Sequence, residues 1–155
     1  MEREEWNRDD ALRPLTREGE KQMGKVARAL QEMGLEFDLI VSSPYERAKR
    51  TAEIVAAKLK LRKQLKFSAE LSPEGDPKKL VAGIKAQRPP PQNALLVGHE
   101  PYLSKLISLL TCGDGGMAMD FKKACVCKLK VEDLQYGKCA ELRWLLTPRQ
   151  MDLMA

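Results

Sequence analysis

Residues 94–103 read ALLVGHEPYL and hold the one histidine of a 155-residue sequence. The run from Ala94 to Val97 is short, apolar and bounded, the pattern of a strand buried on both faces in a parallel sheet. Gly98 ends it, His99 follows at once, and Pro101 opens a helical pattern that runs to about Leu110. A strand that hands over directly to a helix is the repeating unit of α/β folds. In open sheets of that kind ligands bind beyond the carboxyl ends of the strands, where helix N-termini favour anions. His99 stands at such a corner.

A second corner has the same form. In FDLIVSSPYERAKRTAEIV, residues 37–42 have strand character and Ser43-Pro44 is a helix-opening signal. The helix is expected to run to about Leu59, burying Ala48, Ala52, Val55, Ala56 and Leu59, with Arg47 in its first turn. If the two strands are parallel neighbours, Arg47 and His99 face one pocket. A guanidinium binds phosphate oxygens as a fork, and an imidazole donates to them or carries the phosphoryl group itself. Spacing alone leaves the blander readings open: a histidine that only hydrogen-bonds within the structure, and an arginine that is only solvated.

Working outward, Thr16 caps a helix whose Met23, Val26, Ala27, Leu30 and Met33 share one face and which Gly34 ends. A short strand is expected at residues 65–67, then the loop SPEGDP and a helix from Pro77 to about Ala86. Arg88-Pro89-Pro90-Pro91 is a stiff connector. Residues 124–131 and 140–146 read as two strands joined around Tyr136-Gly137, an antiparallel hairpin at or near the sheet edge. The expected architecture is a three-layer α/β sandwich, a mainly parallel central sheet flanked by helices, in a single domain over residues 1–155.

Composition sets the class. Hydrophobic residues make up 43% and charged residues 32%, the balance of an ordinary globular domain. No segment approaches the roughly 20 apolar residues of a membrane span, and the first ten residues, MEREEWNRDD, are charged where a signal peptide is apolar. A cytoplasmic location without membrane association is expected. On that basis Cys112, Cys125, Cys127 and Cys139 are read as reduced thiols, with Cys125 and Cys127 on one strand face as packing. One histidine and scattered cysteines lack the spacing of a zinc site, so no metal and no cofactor are expected. The formal charge is +5, and Lys58, Lys60, Arg62, Lys63 and Lys66 cluster in KLKLRKQLKF. A solvated helix end is the simple reading and a docking face for an acidic protein the alternative; without aromatic interleaving, no nucleic-acid partner is expected.

The phrase SSPYERAKRTAEI resembles the SPxxRAxQTA segment of the histidine phosphatase (phosphoglycerate mutase-like) superfamily, and VGHEP resembles that superfamily's second-histidine motif. RPLTREG at 13–19, LSPEGDP at 71–77 and ELRWLLTP at 141–148 are similar to its short, SixA-type phosphohistidine phosphatases, so the likeness runs over nearly the whole chain in order. The resemblance implies that Arg47 binds phosphate and that His99 is the second histidine, a phosphate ligand that stabilises the transferring group. It makes Ser43 and Glu100 residues that shape the surrounding loop, and Asp76 a helper in proton transfer or merely the cap of the helix after Pro77.

One part of the pattern has no counterpart. Members of the superfamily open with a strand ending in Arg-His-Gly, whose histidine becomes phosphorylated. Here MEREEWNRDDALRPLT is similar to the loop that follows that motif. The expectation is therefore a domain truncated at its N-terminus, lacking the first strand and the nucleophile, and nearly inactive by itself. The natural enzyme is expected to remove phosphoryl groups from histidines of signalling or phosphotransfer proteins, with phosphate and a phosphorylated protein as partners. The alternatives are a catalytically dead phosphate- or phosphoprotein-binding module and a small-molecule phosphomonoesterase of the same fold.

Overall fold

A computed structural model describes residues 9–155. The part of the MEREEWNRDDALRPLT loop that falls on residues 1–8 lies outside the described residues. Helix α1 spans Arg17–Glu32, and its first turn is held as the sequence predicts: the Thr16 hydroxyl accepts from the Gly19 amide at 3.0 Å. Gly34 ends the turn beyond it with φ +72°, a conformation that costs a residue without Cβ little. Met23, Val26, Ala27, Ala29 and Leu30 are buried against Val55 and Met151.

Strand β1 (Leu39–Ser42) is buried along its whole length and leads into α2 (Glu46–Leu59). The helix begins two residues later than the Ser43-Pro44 signal suggests. Ser43 Oγ accepts from the Tyr45 amide at 3.2 Å, so the serine–proline pair forms the turn ahead of the helix rather than its first turn. Ala48, Ala52, Val55 and Ala56 are buried as expected, and Leu59 is half-buried. Strand β2 (Leu65–Phe67), α3 (Pro77–Lys85), β3 (Ala94–Val97) and α4 (Tyr102–Cys112) follow; α4 extends two residues past its expected end. The hairpin is β4 (Val126–Val131) with β5 (Ala140–Leu146), and α5 (Pro148–Met154) closes the chain behind a Thr147–Gln150 capping box.

The three parallel strands lie in the order β2-β1-β3. Helices α1 and α5 cover one face with the inner side of α2, while α3 and α4 cover the other. Two expectations need correction. The hairpin is not an edge of this sheet: β4 and β5 form a separate antiparallel sheet. Strand β3 is not buried throughout: Ala94 is exposed and Leu95, Leu96 and Val97 are half-buried. Its apolar composition signals burial on both faces, but burial also needs a neighbour on both edges, and among the described residues only β1 pairs with it. Among the described residues no helix is long and apolar enough to cross a membrane.

One buried group in the α3–α4 layer lacks a partner. Tyr102 is 7% exposed and its hydroxyl makes no hydrogen bond among the described residues. Burial pushes the phenol pKa up to about 12, so the group stays neutral and simply pays desolvation. Tyr102→Phe is expected to raise stability by about 1 kcal/mol, read as a melting temperature roughly 2–4 °C higher. A fall of similar size would show that the hydroxyl is satisfied in solution.

Candidate active site

The carboxyl ends of β1 and β3 lie level, because Ser42 pairs with Val97 and the Ser43 amide donates to the Val97 carbonyl at 2.9 Å. The next residues on each strand therefore meet. His99 Nε2 lies 2.7 Å from Ser43 Oγ, and both residues are buried. The His99 carbonyl accepts from the Leu103 amide at 2.8 Å, which ties the imidazole's backbone to the start of α4. Burial first, and the positive charge of Arg47 second, depress the imidazole pKa to about 4. His99 is neutral at pH 7, a hydrogen-bonding group rather than a cation.

Arg47 comes from the first turn of α2 and shares one cavity wall with His99. Tyr45 links them: its ring centroid is 5.1 Å from that of the imidazole and 5.3 Å from the Arg47 guanidinium carbon. The guanidinium is used as a fork, with one nitrogen donating to the Asp10 carbonyl at 2.9 Å and the other to an Asp10 carboxylate oxygen at 3.1 Å. The second Asp10 oxygen takes Arg13 Nε at 3.0 Å. A carboxylate thus bridges two arginines at the strand ends. Although partial burial opposes it, the charges of Arg47 and Arg13 hold the Asp10 carboxyl below its ordinary range. Burial and the neighbouring Arg13 lower the Arg47 pKa, yet the guanidinium keeps its charge at neutral pH.

Of the residues singled out from sequence, Arg47, His99 and Ser43 converge. Glu100 and Asp76 stand off from them as local caps. Glu100 is exposed and accepts from the Ser104 amide at 3.0 Å, while Asp76 accepts from the Lys78 amide at 2.9 Å and caps α3. The carboxylate of SPEGDP that reaches the group around His99 is Glu74, whose oxygens lie 3.2 and 3.3 Å from the Tyr45 hydroxyl. Asp10, Arg13, Tyr45 and Glu74 carried no signal of their own in the sequence, because each joins the site through contacts 29 or 37 residues away or through such a partner. The RPLT phrase held Arg13 but said nothing of where it points. The basic cluster lies elsewhere: Lys58 is eleven positions beyond Arg47 on α2, about 16 Å along the helix axis.

The family profile of the histidine phosphatase superfamily (branch 1) matches residues 4–72. An uncharacterised protein of a Picosynechococcus strain is 35% identical over 123 residues, spanning 79% of this chain and 74% of the relative. The chain belongs to the histidine phosphatase superfamily. Solved structures agree on the fold of this superfamily member. A protein histidine phosphatase SixA complexed with tungstate superposes with a TM-score of 0.79 at 24% identity, covering 91% of this chain and 88% of that one. A putative phosphohistidine phosphatase SixA from Nakamurella multipartitia gives 0.74 at 22%, covering 90% and 87%. The alpha-ribazole phosphatase from Shigella flexneri gives 0.61 at 21%, with the same coverage. The α/β fold of this histidine phosphatase superfamily member is thus that of the SixA structures, with Arg47 and His99 at the carboxyl ends of its parallel strands.

Proposed function

We propose that this chain is the phosphate-gripping body of a phosphohistidine phosphatase. The observation that carries the reading is the Asp10 carboxylate held between Arg13 and Arg47 beside a neutral, buried His99. An anion already sits in a forked cationic seat, at the end of a parallel sheet where anions are favoured. A phosphoryl group that displaces Asp10 gains the same donors and adds His99 as a further hydrogen-bond partner. As negative charge arrives next to the imidazole its pKa rises, which favours His99 as a hydrogen-bond donor to the anion.

Hydrolysis then needs a second histidine. The family likeness puts His99, the one histidine of the sequence, in the supporting position, so the phosphoryl acceptor in this reading is a histidine other than His99. Its ring nitrogen attacks phosphorus, the substrate's nitrogen–phosphorus bond breaks, and the substrate imidazole leaves with the proton that the acceptor ring gives up. Water then attacks the new phosphohistidine and releases orthophosphate while the acceptor ring recovers its proton. The two arginines would carry the equatorial oxygens through both steps.

The test compares three ligands with and without an upstream strand ending in Arg-His-Gly fused ahead of Met1. A phosphohistidine peptide turned over by the fused protein and left intact by the shorter one is the expected result. Turnover of a sugar phosphate instead would make the protein a small-molecule phosphomonoesterase. Saturable binding of phosphate without turnover in either form would leave a binding module. A separate expectation follows from Asp10. Asp10→Asn removes the charge that competes for Arg47, and inorganic phosphate should bind roughly three- to tenfold more tightly, in line with the modest value of a partly exposed ion pair. Unchanged affinity by calorimetry would mean that phosphate binds without displacing that side chain.

A further inference from the structure

We propose that the outer edge of β2 is a docking site for an acidic polypeptide segment, which adds to the sheet as an extended strand and sets its carboxylates against a cluster of lysines and arginines. In the order β2-β1-β3 only β1 pairs with β2 among the described residues, so the far edge of β2 is open. In a parallel ladder alternate residues turn their backbone groups to opposite sides. The Ser68 amide donates to the Ser42 carbonyl at 3.0 Å, so Ser68 and Lys66 serve β1. Leu65 and Phe67 therefore turn their N–H and C=O groups outward, where another strand can take them.

The charge around this edge is of one sign. Lys58, Lys60, Arg62, Lys63 and Lys66 are all exposed, and no acidic residue occurs between Glu53 and Glu70. None of these cations is in an ion pair among the described residues. Lys66 donates to a neutral group, Gln87 Oε1 at 2.9 Å, and Arg88 folds back on the Gln87 carbonyl at 2.8 Å, which adds a further cation nearby. Gathered charges of one sign repel each other, and a bound anion relieves that repulsion.

Lysines on an open strand are also a common guard against unwanted pairing. Two observations point past that role. Phe67 is 46% exposed at the same edge, and an apolar ring in solvent invites the pairing that a guard prevents. The guard also works by repulsion, so it turns away a second copy of a chain with net charge +5 and draws in a strand of opposite sign. The two faces of the edge differ. Phe67 lies on the α2 side, where Lys49 Nζ is 6.0 Å from its ring centroid, and Lys66 lies on the α3 side with Gln87. A segment in which glutamate alternates with valine suits both, with carboxylates toward Lys66 and apolar side chains toward Phe67. Phe67 pairs with Ser42, so the edge ends level with the contact between Ser43 and His99.

The docking site does not depend on the phosphatase reading, and its test needs no catalysis. A fluorescein-labelled peptide of alternating glutamate and valine is titrated into the 155-residue chain at about 50 mM salt. The expected result is a saturable one-to-one rise in anisotropy, weakened about tenfold at roughly 300 mM salt and about tenfold by Lys63→Glu combined with Lys66→Glu. N-methylation of one alternate set of peptide amides should abolish binding and methylation of the other set should not, because only one set faces β2. Amide exchange at Leu65 and Phe67 should slow at least fivefold, with Lys66 and Ser68 unchanged. Absence of saturation or of salt dependence would overturn the proposal. Equal binding of the two methylated peptides would mean charge attraction without an added strand and would overturn it as well. So would protection confined to β3 or β5, or tighter binding of single-stranded DNA of equal charge. A chain that dimerises through Leu65 and Phe67 without peptide would give the edge to a second copy, with the same consequence.

Discussion

Arg47→Ala is expected to weaken the binding of inorganic phosphate about a hundredfold, or roughly 2.7 kcal/mol, and Arg47→Lys about tenfold. Two nitrogens of this guanidinium already act together, at 2.9 and 3.1 Å on atoms of Asp10, so the fork is formed before any ligand arrives. Charge-assisted hydrogen bonds contribute about 1.5–3 kcal/mol each, and exchanging Asp10 for phosphate returns part of that, which leaves the net near two tenfold steps. Lysine keeps the charge but offers a point donor in place of a planar pair, hence the intermediate loss. Calorimetric titration with phosphate measures both variants. A change below threefold in Arg47→Ala would remove Arg47 from the site. Because the same side chain holds the segment around Asp10, amide exchange at residues 10–13 separates loss of a ligand contact from loss of local structure.

The second large effect is on acid stability. His99 titrates at about 4 in the folded chain against a reference of 6.5. A group depressed in this way binds fewer protons folded than unfolded between those values, so stability rises with pH across the window. The contribution is complete above pH 6.5 and is lost as the pH falls toward 4, amounting to about 3 kcal/mol. The sequence holds no other histidine, and Asp10, whose pKa is lowered from 3.8, acts below this range. Urea denaturation at pH 7.0 and 4.5 should therefore show a large loss for the natural chain. His99→Gln, which keeps a hydrogen-bonding group opposite Ser43 but does not titrate, should lose far less. Parallel pH profiles for the two proteins would mean that the imidazole is solvated and not held neutral.

How much was legible follows from the range of each interaction. Helix α1 could be read to within a residue because its signals are local: Thr16 bonds three residues on, and Gly34 adopts its own positive φ. The meeting of Arg47 and His99 was legible for a different reason. Both follow parallel-type strands at once, and level parallel strands bring such residues to one end. Edge pairing left no such trace. Leu95 and Leu96 are as apolar as the residues of β1, and composition does not say how many neighbours a strand has. The seat around Asp10 was hidden because its partner lies 37 residues away, across a turn and the whole of α1. Asp76, by contrast, had two readings in the sequence, and its bond to the Lys78 amide is that of a helix cap.

The Asp10 contact also has a meaning for affinity. By holding a carboxylate on Arg47, it leaves the cationic seat filled at rest by a ligand that belongs to the chain itself. A short tether of that kind gives an effective concentration on the order of millimolar. Phosphate would therefore compete with an intramolecular rival, and its apparent affinity would fall by the fraction of time that Asp10 holds the seat.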